Sequence, residues 1–195
     1  MSNTVTNVAA GKPKIGGAVF VAPIGTTLPT DATADLASAF VGLGYVSEDG
    51  LKNAREFDTD KIKAWGGDEV LVVDNGKSDS FSYTLIEVLN VDVLKHVYGN
   101  ENVSGTLSGG ITVHANNKPG EDFCMVFELV LRGAVKRIVV PCAHVTEVGE
   151  ITYTDSDAVG YETTISCAPD ADGDTHREYI KTASSASSSG GSGNT

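Results

Sequence analysis

Alternation with a period of two dominates the apolar pattern of this chain, and a helical period holds over only one short stretch. Residues 17–23 read as a first strand. Residues 24–35, rich in Thr, Pro, Asp and Ala, read as an exposed loop. A strand is expected over 40–47, and Glu48-Asp49-Gly50 is a tight reversal because Asp-Gly suits such turns. Residues 51–65 form an extended run that is mostly polar, with charges from Lys52 to Lys63. Such a strand has no dry face along its length, so it lies at an edge or projects as a hairpin arm. Residues 66–79 carry turn signals at both ends, Gly66-Gly67-Asp68-Glu69 and Asn75-Gly76, around an apolar patch at Val70, Leu71, Val72 and Val73. That patch either packs on its own domain or is covered by another subunit.

The second half is more regular. Phe81, Tyr83 and Leu85 share one face of a strand, with Ser80, Ser82 and Thr84 on the other. One helix follows, capped by Asn90 and closed by Gly99. Asp92 sits in its first turn, Lys95 and His96 near its end, and Val91, Leu94, Val97 and Tyr98 form its stripe. Strands are then expected at 110–115, 123–132, 135–148 and 161–168. The run 123–131 is apolar on both faces, which marks a central strand covered on both sides. The fold class is therefore mainly β with a minor α part. The chain divides into a flexible arm at 1–14, one domain at 15–182 and a Ser/Gly-rich tail at 183–195 that cannot bury apolar area and is expected to be disordered.

Charge and cysteine usage narrow the function classes. A formal net charge of -12 argues against binding DNA by phosphate neutralisation, while leaving DNA free to move past. Three cysteines, Cys124, Cys142 and Cys167, are odd in number and lie in apolar runs, so buried free thiols are expected. Residues 1–17 hold no apolar signal core, and no run is long enough to span a membrane.

The search for chemistry ends without a site. Gly42-Leu43-Gly44 begins a dinucleotide-type motif that breaks at Ser47, and no phosphate loop or nucleophile elbow is present. Asp170, Asp172 and Asp174 have the spacing of the first calcium-loop ligands. Thr175 then stands where the turn needs glycine, and Lys181 where a bidentate carboxylate belongs. Cys142, His144 and Glu147 lack the further ligands of a zinc site. His96 reads as a favourable contact at a helix end, His114 as solvent-facing and His176 as part of a polar loop. Trp65 is either a recognition aromatic or, by preference, the anchor of a loop base. No catalytic residue, cofactor or metal is expected. A β-sandwich ligand-binding module using the 170–174 loop is kept as an alternative.

Several segments together resemble a known family. Gly17-Ala18-Val19-Phe20-Val21-Ala22-Pro23-Ile24-Gly25-Thr26 with Leu28-Pro29-Thr30-Asp31-Ala32 is similar to the start of major tail proteins of siphophages, especially those of actinobacterial hosts. So are Gly44-Tyr45-Val46-Ser47-Glu48-Asp49-Gly50-Leu51, Trp65-Gly66-Gly67, and Pro169-Asp170-Ala171-Asp172-Gly173 with Glu178-Tyr179-Ile180. The resemblance covers about residues 15–182. It implies a tail-tube fold: a sandwich-like or barrel-like β core, one flanking helix and a long hairpin loop. It also implies a structural virion protein whose hexameric rings stack into the conduit for DNA ejection. The partners it implies are further copies, a tape measure protein in the lumen, and tail terminator and distal tail proteins, with passing DNA not specifically bound and no membrane. Assembly would take place in the host cytoplasm, and the product would be the virion tail. Ring-stacking candidates are Trp65, Gly66, Gly67, Asp68, Glu69, Val70, Leu71, Val72, Val73 and Asp74. Lumen candidates are Asp58, Asp60 and Glu128. A tail terminator or distal tail ring protein of related fold is the nearer alternative. Some relatives continue past a Gly/Ser linker into an immunoglobulin-like or sugar-binding surface domain.

Overall fold

The computed structural model describes residues 3–182; the tail expected to be disordered at 183–195, and the first two residues of the arm, lie outside the described residues. The chain runs β1 (Lys12–Pro13), β2 (Val19–Pro23), β3 (Val41–Gly42), β4 (Lys52–Lys63), β5 (Glu69–Leu85), α1 (Val91–Tyr98), β6 (Val103–Thr106), β7 (Gly110–Val113), β8 (Phe123–Leu131), β9 (Ala134–Val148), β10 (Tyr161–Cys167) and β11 (Arg177–Thr182). Nine strands form one antiparallel sheet with the path β3-β2-β8-β9-β10-β5-β4; β1 adds to β8 and β11 to β9. β6 and β7 form a separate ladder.

One face of the sheet carries the main core. Phe81, Tyr83 and Leu85 of β5 are buried as the alternation requires, and they join Met125 and Phe127 of β8, Ile138 and Val140 of β9 and Ile165 of β10. Burying each such side chain contributes roughly 1.5–3 kcal/mol. Phe81 and Phe127 stack with ring centroids 5.1 Å apart. α1 and β6 lie over this face through Val93, Leu94 and Val103. The helix begins as its cap requires: the Asn90 side chain accepts from the Asp92 N–H at 3.0 Å. Gly99 closes it at φ +94°, a conformation that favours glycine. Val93, outside the apolar stripe read from sequence, is fully buried, because the β6–β7 layer widens the covered side of so short a helix.

The opposite face of β8 is also covered, as its double apolar pattern demands, but its centre is ionic. Glu128 and Arg137 are direct cross-strand neighbours, both buried and paired. Arg137 also donates to the Asp31 carbonyl at 2.9 Å, and Lys14 reaches the second Glu128 oxygen at 2.6 Å. Two expectations change here. The loop at 24–35 is not simply exposed, since Pro29 and Ala32 are buried and its backbone caps a guanidinium. The arm drawn at 1–14 is paired at its end, where Lys12 and Pro13 face Val130 and Leu129.

Other boundaries differ for local reasons. The strand expected at 40–47 reduces to Val41–Gly42 plus a single bridge from Val46 to Leu85, because Gly44 at φ +74° turns the chain between them. The polar sequence 177–182 is β11, held by six register positions on β9 rather than by any apolar face of its own. His96 is not a cation serving the helix end. Burial pushes its pKa down to about 4, and its Nε2 shares a 2.7 Å hydrogen bond with the Tyr83 hydroxyl.

Candidate assembly site: the projecting hairpin

β10 covers β5 only from Ser80 to Leu85. From Ser78 outward, β5 pairs with β4 alone, so the two strands leave the body as a ribbon. Its β5 side, Glu69 to Ser78, spans about 30 Å at the usual strand rise. The loop expected at 66–79 is therefore mostly strand. Only 64–68 turns, with the Ala64 N–H on the Asp68 carbonyl at 2.8 Å and Gly66 and Gly67 at φ +127° and +100°. The Asn75-Gly76 signal marks a bulge instead of a turn: Asp58 faces Gly76 and Thr59 faces Asp74, leaving Asn75 as the extra residue.

Directly opposed residues share a face, so the register assigns the sides. Glu56, Asp58, Asp60 and Ile62 of β4 lie on one side with Leu71 and Val73 of β5. Arg55, Phe57, Thr59 and Lys61 lie on the other with Lys77, Asp74 and Val72. Two contacts agree with this: Lys77 Nζ sits 5.3 Å from the Phe57 ring centroid, and Lys61 pairs with Glu69 at 3.1 Å. The first side thus bears three carboxylates in a row on β4 and no cation between them. The second bears the cations.

The ribbon bears a cluster of exposed apolar side chains. Phe57, Ile62, Trp65, Val70, Leu71 and Val72 are all exposed, and Trp65 at the tip is wholly so. Among the described residues Trp65 therefore anchors nothing, against the preferred sequence reading. Gly66, Gly67 and Asp68 complete the tip turn, while Glu69, Val70, Leu71, Val72, Val73 and Asp74 run down β5. Asp58 and Asp60 are exposed on the acidic side, joined there by Glu56, which sequence reading passed over. Glu128 is elsewhere, buried with Arg137. The signal that could have found Glu56 is the strict parity of 56, 58 and 60.

The ribbon's root is polar and tight. Asp79 is 3% exposed and accepts from Asn53 Nδ2 at 2.8 Å, Thr175 Oγ1 at 2.6 Å and His176 Nδ1 at 2.5 Å. Burial pushes its pKa up, but these hydrogen bonds outweigh burial and hold it below the usual carboxylate range. His176, expected in a polar loop, packs edge-on against Phe81 with its side chain 9% exposed.

The remaining clusters are satisfied internally. Arg177 binds Asp170, Asp172 and Asp174 at 2.5, 3.1 and 3.0 Å, filling with a guanidinium the place the calcium reading gave to a metal. His144 pairs with Asp122 at 3.0 Å, away from any zinc-like set. No group of three or more His, Cys, Asp or Glu suited to a metal occurs among the described residues. The three cysteines are free.

A mainly antiparallel β body with one helix and a projecting apolar-tipped ribbon is the scaffold these observations define. The chain belongs to the phage tail tube protein family, whose model matches residues 6–189. No curated protein matches it. Among solved structures it is similar to a chain of the PVC sheath-tube complex of an extracellular contractile injection system in its extended state, at 11% identity and TM-score 0.40 over 93% of this chain and 100% of that one. It is also similar to the tube-terminating cap of the anti-feeding prophage, at 12% identity and TM-score 0.36 over 94% and 100%. The role that follows from the family is structural, in the phage tail.

Proposed function

We propose that this chain is the major tail tube subunit, forming hexameric rings that stack into the conduit for DNA ejection, and that it performs no catalysis. The observation that carries this reading is the hairpin. Six large apolar side chains stand exposed on a ribbon that its own body leaves uncovered from Ser78 outward. An exposed apolar concentration of this kind on an edge ribbon marks a contact with another chain. In this reading Trp65 to Asp74 meet the adjacent ring, and the second side of the ribbon, with Phe57 and the cations, packs against protein. The side bearing Glu56, Asp58 and Asp60 faces the lumen, where like charge keeps passing DNA from sticking. The tape measure protein occupies that lumen before ejection, and the tail terminator and distal tail proteins bound its ends. Assembly takes place in the host cytoplasm.

Negative-stain electron microscopy of the concentrated protein, alone and seeded with tail tips, tests the reading. Hollow stacked tubes from the parent chain and free subunits from Val72→Asp, on the side that packs against protein, are expected. Single closed rings under all conditions would favour a terminator or distal ring protein. Persistent monomers even with tips would overturn the tube assignment.

A further inference from the structure

We propose that Asp79, with His176, Thr175 and Asn53, is the positioning cluster that fixes the direction in which the hairpin leaves the body. The location carries the argument. On β9, residues 143–148 pair with β10 and residues 134–139 pair with β11, so the two strands occupy successive places along one edge. β5 stays with β10 through Ser80 and then has no partner on that side, although β11 occupies the next place along β9. The sheet forks at that point, and Asp79 is the first residue past it.

A fork in a sheet leaves the outgoing ribbon free to swing unless something ties it. The Asp79 carboxylate ties it from three directions. Asn53 comes from the outgoing β4, whereas Thr175 and His176 come from the segment that leads into β11. His176 is itself immobilised, edge-on to Phe81 at 5.2 Å and with Nε2 3.9 Å from Glu178, which Lys136 of β9 holds at 2.7 Å. Hydrogen bonds to an ionised, buried acceptor are the strong, directional kind, and losing one partner leaves the others unsatisfied. No apolar packing duplicates the tie, since Ser78 and Lys77 just beyond it are exposed.

The consequence for stacking rests on the tube reading above; the direction of the hairpin does not, and it can be measured on the monomer. The chain has one tryptophan, Trp65, wholly exposed at the hairpin tip. Time-resolved energy transfer from Trp65 to an acceptor on Ser108→Cys, in a Cys142→Ala background, reports the tip-to-body distance distribution. Parent protein should give one narrow distribution. Asp79→Ala and His176→Phe should each broaden it, and amide exchange at 53–57 and 76–80 should quicken about tenfold or more, as expected for lost charge-assisted bonds. Exchange in β8 and β9 should stay slow, which separates a loosened hairpin from an unfolded chain. Asp79→Asn, which keeps one acceptor oxygen, should fall between. An unchanged distance distribution in Asp79→Ala, with core exchange intact, overturns the proposal. Broadened monomers that still form ordinary tubes would keep the tie and remove its importance for stacking. Failure of the parent to form tubes bears only on the tube reading.

Discussion

Replacing one member of the buried Glu128–Arg137 pair should cost far more than replacing both. Arg137 is 2% exposed and Glu128 4%, and the two face each other across β8 and β9. Removing one partner of such a pair strands the other charge, at roughly 3–5 kcal/mol. The surroundings grade the two single changes. In Arg137→Met the carboxylate keeps Lys14 at 2.6 Å, whose side chain is 47% exposed and brings solvent with it. Its cost should lie near the lower end, roughly 3 kcal/mol. In Glu128→Leu the guanidinium keeps only the Asp31 carbonyl at 2.9 Å, and Lys14 loses its partner as well. That variant should approach roughly 5 kcal/mol. The double variant Arg137→Met/Glu128→Leu buries no charge and should recover to within about 1 kcal/mol of the parent. Urea unfolding followed by far-ultraviolet circular dichroism gives all four stabilities. Tryptophan fluorescence is a poor probe, because Trp65 is already exposed in the folded chain. Single changes that add up to the double, or that each cost less than about 1 kcal/mol, would refute the claim that the pair is one coupled, desolvated unit.

Three other outcomes are expected. His96 has a folded pKa of about 4 against an ordinary 6.5, so the unfolded chain takes up its proton first as pH falls. Stability is therefore full above pH 6.5 and declines between 6.5 and 4, by at most about 3 kcal/mol; chemical unfolding at pH 7 and 5 should show a slope that His96→Phe flattens. Gly105 stands at φ +92°, and a Cβ there would lie 2.0 Å from the Gly110 carbonyl oxygen. Gly105→Ala should open the β6–β7 ladder, read as fast amide exchange over 103–113, at a cost of about 2 kcal/mol or more. Inserting one alanine between Val72 and Val73 should leave the melting of the body within a few degrees of the parent and abolish tube growth, scored by electron microscopy, because the side chains between the insertion and the tip change sides. Growth of ordinary tubes by that insertion variant would contradict the facial assignment.

The body was legible in the sequence wherever one alternating pattern met one dry face. Phe81, Tyr83 and Leu85, the β8 run and the Asn90 cap all fall where they were read. What escaped was structure held by partners instead of pattern. β11 is polar, and pairing with β9 makes it a strand. His96 reads as a helix-end contact and His176 as part of a polar loop, and only tertiary packing sets them against Tyr83 and Phe81. The acidic 170–174 segment carried a ligand-like spacing, and only the fold shows that Arg177 answers it. The hairpin was foreseen as an arm at 51–65, but Asn75-Gly76 was read as a turn, because the same two residue types serve turns and bulges alike.

The bulge at Asn75 also bears on how the arm tolerates change in length. Between the bulge and the tip, one codon gained or lost in β5 does not merely lengthen or shorten the arm; it rotates the outer side chains by half a turn relative to the body. Leu71 and Val73, which now share a side with Glu56, Asp58 and Asp60, would trade places with Val72 and Asp74. Codons lost or gained in pairs keep the sides and alter only reach. Length variants of this arm that still assemble should therefore differ by even numbers of residues, or carry a compensating second bulge such as the one already present at Val70 near the tip.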